Sequence, residues 1–158
     1  MIRSMIEDDV PKLAAIVALN YNRHCAEAFH HEARCAFYNY PFKPRFIVAE
    51  DSSGWPLGCA CWNADWCSWG VFNISWVQVA PHIQGRGVGK ALVESVLSEL
   101  RPIASLILLA TTKPIYYQRW GFKVIQTYSA TVEYEKAGEI ESLMALPVSL
   151  QHQPEGEK

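Results

Sequence analysis

The stretch VQVAPHIQGRGVGKALVESVLSELRP, residues 77–102, sets Gly85, Gly87 and Gly89 at alternate positions between a strand-like run and an amphipathic one. A glycine-rich turn that opens a helix leaves backbone N–H groups without intrahelical acceptors at the positive end of the helix dipole, which suits an anion such as a phosphate. Two nucleotide patterns fail on these residues. The Walker spacing would need glycine at Gln84 and a hydroxyl at Ala91, and the dinucleotide fingerprint would need glycine at Lys90 or at Leu92. The loop is therefore read as an anion site of another class.

Other candidate chemistry is thinner. Five cysteines, at 25, 35, 59, 61 and 67, are an odd number without a Cys-x-x-Cys pair or a matching His pair, so reduced thiols are expected and no metal site. Sixteen acidic residues against fourteen basic ones give no excess of positive charge to attract nucleic acid or an anionic membrane. The opening MIRSMIEDDV has no long apolar core, and the longest apolar run, PIASLILLA, is far short of the roughly 20 residues that cross a bilayer. A soluble, cytoplasmic protein is expected. Half of the 158 residues are hydrophobic, enough for one domain over residues 1–150, with a polar tail at 151–158 expected to be disordered.

The elements that must position the loop follow from periodicity. After a short strand at 2–5, EDDVPKLAAIVALN reads as a helix with an Asp cap, Pro11 in the first turn and Val10, Leu13, Ile16 and Val17 on one face. A second helix is expected over about 26–38, stopped by YPFKP. RFIVAEDSSGWPLGCACWNADW reads as a hairpin turning at Ser53-Gly54, and VFNISWVQVAP as a further strand. From Val88 a helix runs to the neighbourhood of Pro102, and SLILLAT is a short apolar run expected to be a strand buried on both faces. A short helix at 114–120 is closed by Gly121, and two last strands follow, FKVIQTYSATVEY and EIESLMALPVS. The order is strand, two helices, three strands, helix, strand, helix, two strands: an α/β class with one mixed sheet of about seven strands and four helices.

On this frame the chain resembles the GCN5-related N-acetyltransferase (GNAT) superfamily. QGRGVG, with Gln84, Gly87 and Gly89, resembles the acetyl-CoA motif Gln/Arg-x-x-Gly-x-Gly/Ala after a strand, and YYQRWGF, with Tyr117, Gly121 and Phe122, resembles the second signature on its short helix. The likeness in element order extends from residue 2 to about 148, whereas the specific motifs cover only 77–93 and 115–122.

The resemblance implies the GNAT fold and an N-acetyltransferase that passes the acetyl group of acetyl-CoA to a primary amine by direct attack in a ternary complex. It implies that Gln84, Gly85, Arg86, Gly87, Val88, Gly89 and Lys90 hold the cosubstrate. The pantetheine arm would enter where the fourth and fifth strands splay, pairing with the backbone at Val77 and Val79. Tyr117 would be the general acid, with Tyr116 pointing about 100° away around the helix. Acetyl-CoA and an amine acceptor are the expected partners, with a homodimer allowed.

Relatives often carry a carboxylate on the fourth strand as base, but Asn73, Ile74, Ser75, Trp76, Val77 and Gln78 include no acid. His24, Glu27, His30, His31 and Glu32, in the first helical region that commonly borders the acceptor site in this family, are the alternatives. Many relatives also carry an Asn near LLATTKP, where Thr111 and Thr112 stand here. Trp62, Trp66, Trp69 and Trp76 are read as core before they are read as an acceptor pocket. The competing function is a non-catalytic acyl-CoA-binding regulatory module, which turnover would distinguish.

Overall fold

The computed structural model describes residues 1–39, 41–66, 68–129 and 139–148. Its strands are β1 (Ile2–Ser4), β2 (Arg45–Glu50), β3 (Pro56–Ala64), β4 (Val71–Val79), β5 (Leu106–Thr111), β6 (Lys123–Ser129) and β7 (Ile140–Pro147). Its α-helices are α1 (Val10–Asn20), α2 (Arg23–Cys35), α3 (Val88–Leu100) and α4 (Pro114–Gln118). The strands form one seven-stranded sheet in the order β1-β2-β3-β4-β5-β7-β6. Only β4 and β5 run parallel; every other neighbouring pair is antiparallel.

Strand alternation divides the core in two. Phe46 and Val48 of β2 and Cys59 and Cys61 of β3 face Leu13, Val17 and Phe29 of α1 and α2. Ile47, Ala49, Ala60 and Trp62 point the other way, against Leu92, Val93, Val96 and Leu97 of α3. A period-2 pattern buried on both faces is why β3 reads as a nearly continuous apolar run. β5 differs from that expectation. Ile107 and Leu109 are buried against α3, but Leu106 and Leu108 are only half-buried and Ala110 is exposed. The physical reason is reach, since α1 packs over β3 and β4.

Two helix starts depart from the sequence reading. Asp9 precedes α1 without capping it; its carboxylate accepts from the Ile6 N–H at 2.9 Å and from the Arg3 guanidinium at 2.6 and 3.0 Å. α2 begins at Arg23 rather than near Ala26, because the Asn22 side chain accepts from the Cys25 N–H at 2.8 Å and so fixes the first turn. Among the tryptophans, Trp62 and Trp76 pack into the two cores, whereas Trp66 and Trp69 are 74% and 91% exposed. Cys35, Cys59 and Cys61 are free thiols. The expected end of the sixth strand, residues 130–134, the expected tail and Cys67 lie outside the described residues.

Asp9 is 1% exposed, and Arg3, which also donates to Glu50, ties β1 to β2 and to the entry of α1. Burial alone would push the Asp9 carboxyl up. The Arg3 and Ile6 hydrogen bonds outweigh it and hold the carboxyl below the usual range. A depressed folded-state pKa stabilises above the unfolded value of about 3.9, and that contribution is lost as the pH falls through the lower folded value. Removing one partner strands a buried charge. Arg3→Met should therefore destabilise the fold by roughly 3 kcal/mol at pH 7 and by less near pH 3, as read from urea denaturation at the two pH values.

Candidate active site

The sheet opens beside β4. β4 and β5 pair at Val71, Phe72 and Asn73 with Leu106, Ile107 and Leu108, and no pairing between them follows. From Ile74 to Val79 the β4 edge facing β5 has no strand partner among the described residues, while β5 continues its ladder with β7. A bulge lies in the same stretch. Cys59 pairs with Gln78 and Cys61 with Ser75, so β4 carries one residue more than β3. Trp76 has φ +49°, the only non-glycine with positive φ among the described residues. A bulky residue in that region is strained and persists only where its surroundings hold it.

The bulge also resets which way β4 faces. Phe72 and Ile74 point toward α3 before it, and Val77 and Val79 after it. Asn73 and Ser75 therefore face the α1–α2 side together with Trp76, whose ring packs edge-on against Phe29 at 5.3 Å and whose Nε1 donates to Glu32 Oε2 at 2.6 Å. The side chains of Val77 and Val79 are packing groups against the α3-side core. Their backbone belongs to the open edge.

The glycine loop follows β4. Gly85 and Gly87 have φ of +78° and +86°, which side chains rarely adopt, and a Cβ on either would meet nothing within 4 Å. Open space in front of two left-handed glycines at the start of a 13-residue helix leaves the first-turn amides of α3 accessible to an anion. Gly89 is different. It is helical, and a Cβ there would come within 3.1 Å of the Tyr116 hydroxyl and 3.5 Å of Val79. Its missing side chain is space taken by α4. Gln84 closes the turn, donating to the Val79 carbonyl at 3.0 Å and to Asn20 Oδ1 at 3.1 Å. Arg86 is exposed on the loop, and Lys90 is exposed and lies 3.8 Å from Glu94 in a pair that solvent screens. Val88 is half-buried and packs on the α3-side core.

Asn20, at the end of α1, was not read from the sequence. Its amide donates to Gln78 Oε1 at 2.8 Å and to the Val79 carbonyl at 3.1 Å, and its oxygen accepts from Gln84. No sequence signal distinguishes it, because an Asn at a helix end is ordinary. Its partners lie 58 to 64 residues away.

α4 carries the tyrosines. Tyr117 is 9% exposed in the α3-side core, with ring contacts to Tyr116 at 5.1 Å, Trp120 at 6.0 Å and Phe122 at 6.2 Å. Burial first, and then the neighbouring Tyr116 and Tyr21 hydroxyls, push the Tyr117 phenol far above the usual tyrosine value. Tyr21 follows Asn20 on the α1–α2 turn. The Tyr116 hydroxyl lies against Gly89, and its ring sits under the Arg119 guanidinium at 4.6 Å.

The alternatives for a base separate. His24 and His31 are exposed on α2, and Glu27 is exposed in an ion pair with Arg23 at 2.9 Å. His30 lines a groove of about 590 Å³ with Glu7, Asp8, Lys12 and Arg34, at the end of the α1–α2 pair remote from Asn20. Glu32 is joined to β4 by the hydrogen bond it accepts from Trp76. Thr111 accepts from the Lys113 N–H at 3.0 Å and so shapes the approach to α4, and Thr112 is exposed.

The sequence matches the profile of the acetyltransferase (GNAT) domain over residues 43–124, more than half of the 158 residues. No curated protein is a significant match in sequence. Solved structures share the fold over nearly the whole chain. A protein from Desulfovibrio desulfuricans described as a GNAT-family acetyltransferase aligns with a TM-score of 0.80 at 21% identity, covering 94% of this chain and 99% of that one. A GCN5-related N-acetyltransferase from Kribbella flavida aligns at 0.72 and 24% identity, over 94% and 97% of the two chains. A GNAT phosphinothricin acetyltransferase from Sinorhizobium meliloti, in complex with acetyl-CoA, aligns at 0.68 and 17%, over 94% and 88%. The mixed sheet opening beside β4, the glycine loop at α3 and the tyrosine-bearing α4 all lie in or around the matched span, and the chain belongs to the GNAT acetyltransferase family.

Proposed function

We propose that this protein is an acetyl-CoA-dependent N-acetyltransferase acting on a primary amine of a small molecule or a protein. The observation that carries the reading is the open loop of Gly85 and Gly87 beside a β4 edge without a partner strand, because one extended ligand with an anionic end and an amide-rich arm satisfies both. The acetyl-CoA in the Sinorhizobium relative supports it. Residues Gln84 to Lys90 bind the pyrophosphate, with Arg86 adding a charge-assisted bond, and the backbone at Val77 and Val79 pairs with the arm.

When bound, acetyl-CoA supplies an activated thioester carbonyl. The residues of the chain hold it against the acceptor, so that the amine nitrogen bonds to the carbonyl carbon as the carbon–sulfur bond breaks. Tyr117 gives its proton to the departing sulfur, and the proton released by the newly acylated nitrogen passes through water and restores the phenol. A thiol titrates near 8.5, so the thiolate is a fair leaving group, and burial keeps the Tyr117 phenol in its neutral, proton-bearing form. A purely binding role for the same fold would leave this buried hydroxyl without a task.

Two measurements test the reading. Gly87→Val places a β-branched residue at φ +86° and obstructs the loop, so acetyl-CoA affinity by calorimetry should fall at least tenfold while the circular dichroism spectrum is kept. Unchanged affinity in the folded variant would refute the loop assignment. Tyr117→Phe keeps the ring and removes the donor; with thiol release followed across a panel of amines, turnover should drop roughly 10²- to 10⁴-fold with acetyl-CoA affinity little changed. Wild-type protein that binds acetyl-CoA but acetylates no amine would favour the regulatory-module reading instead.

A further inference from the structure

The open edge of β4 ends in a closed set of hydrogen bonds. The Ala80 N–H donates to the Leu57 carbonyl of β3 at 2.9 Å, so by strand alternation the backbone groups of Val79 point the other way, to the open side. The Val79 carbonyl is filled there. It accepts from Asn20 Nδ2 at 3.1 Å and from Gln84 Nε2 at 3.0 Å, and a carbonyl oxygen has two lone pairs. Of the Val79 backbone groups only the N–H is left to pair with an arm.

The amides that fill this carbonyl come from two elements. Asn20 is the last residue of α1, and Gln84 directly precedes Gly85 of the loop. Each amide nitrogen uses both of its hydrogens. Asn20 Nδ2 donates to the Val79 carbonyl and to Gln78 Oε1 at 2.8 Å, and Gln84 Nε2 donates to the Val79 carbonyl and to Asn20 Oδ1 at 3.1 Å. Gln78 is buried, Asn20 half-buried and Gln84 exposed, so the set runs from the core to the surface. Without Asn20 the Gln84 side chain would keep one bond of this set, open to competition from water.

From these bonds we infer that Asn20 is a positioning residue for the cosubstrate: through Gln84 it fixes the glycine loop to the end of the β4 edge, and so sets the step from the edge that pairs with the arm to the amides that hold the pyrophosphate. The inference rests on the acetyltransferase reading and deepens it. A ligand that pairs with the edge and also places an anion at the start of α3 must span one set distance. Gly85 and Gly87, at φ +78° and +86°, lie just after Gln84, and glycine restricts the backbone least. With Gln84 fixed, the loop meets the anion already ordered; with Gln84 loose, binding also costs the ordering of the loop. A thioester without the pyrophosphate engages the edge alone and is indifferent to where the loop stands.

The probes are acetyl-CoA and S-acetylpantetheine, which keeps the arm and the thioester but has no phosphate. Asn20→Ala removes all three side-chain bonds at a helix end, and Asn20→Ser, polar but shorter, serves if the first variant does not fold. Acetyl-CoA affinity by calorimetry should fall about tenfold in the variant, whereas the affinity for S-acetylpantetheine should be unchanged. A general loss of structure would weaken both ligands. Gln84→Ala should weaken acetyl-CoA to a similar extent, and the double variant should be no weaker than the weaker of the two single ones, because both act through one set of bonds. Unchanged acetyl-CoA affinity in a folded Asn20 variant, an equal loss with both thioesters, or additive effects of Asn20→Ala and Gln84→Ala overturns the inference and leaves the acetyltransferase reading intact. Failure of the wild-type protein to bind acetyl-CoA would overturn the reading itself.

Discussion

One extra residue in β4 organises the opening. An antiparallel pair cannot absorb an insertion without a bulge, and the bulge bends and twists the strand that carries it. Here it falls just after the last β4–β5 pair, so the parallel ladder ends and the rest of β4 has no strand partner on its β5 side among the described residues. The same insertion reverses the facing of the strand, with Ile74 and Val77, three apart, both on the α3 side. A regular strand would have buried Asn73 and Ser75 on the same face as Val77. The bulge gives the α1–α2 face three polar or indole side chains in four positions, and keeps the apolar ones against α3.

Such a backbone must be held. A left-handed conformation at a bulky residue costs roughly 1–3 kcal/mol. Trp76 recovers it through two local contacts, an edge-to-face pair with Phe29 worth about 0.5–1.5 kcal/mol and a hydrogen bond to a carboxylate worth about 1.5–3 kcal/mol. Both partners belong to α2. The helix that covers this face thus also holds the strand distortion beneath it, and the start of that helix is set by the Asn22 cap. Gly58 serves from the other strand. A Cβ there would lie 2.3 Å from the Gln78 carbonyl oxygen, so glycine is what lets β3 approach β4 just past the bulge.

Much of this was legible from residue patterns, and the failures have physical causes. Apolar alternation and capping signals suffice for the order of seven strands and four helices, because each buried face repeats locally. The glycine loop and the α4 tyrosine are local motifs as well. The facing of β4 was not legible, since a bulge leaves no mark in a composition of Asn, Ser, Trp and Val. Nor was the pairing of Glu32 with Trp76, 44 residues apart, or of Asp65 with Asn73, because hydrogen bonds between elements depend on how helices and loops settle on the sheet. Asp9 failed in the opposite direction: its sequence position predicts a cap, but Arg3 is a stronger partner than a backbone amide.

The two faces of the sheet are joined at the mouth of the opening. The Val79 carbonyl, at the end of β4, accepts from both Asn20 of α1 and Gln84 of the glycine loop, and Asn20 and Gln84 also bond to each other. An exposed loop with two left-handed glycines would ordinarily sample many conformations, because glycine restricts the backbone least. This three-way junction fixes its first residue, so the loop is anchored at one end by α1 and at the other by the first turn of α3. Tyr21 follows Asn20 directly, and its hydroxyl is close enough to affect the ionisation of Tyr117. Asn20 has no reacting atom to touch, yet it holds in place the first residue of the loop proposed to bind the cosubstrate.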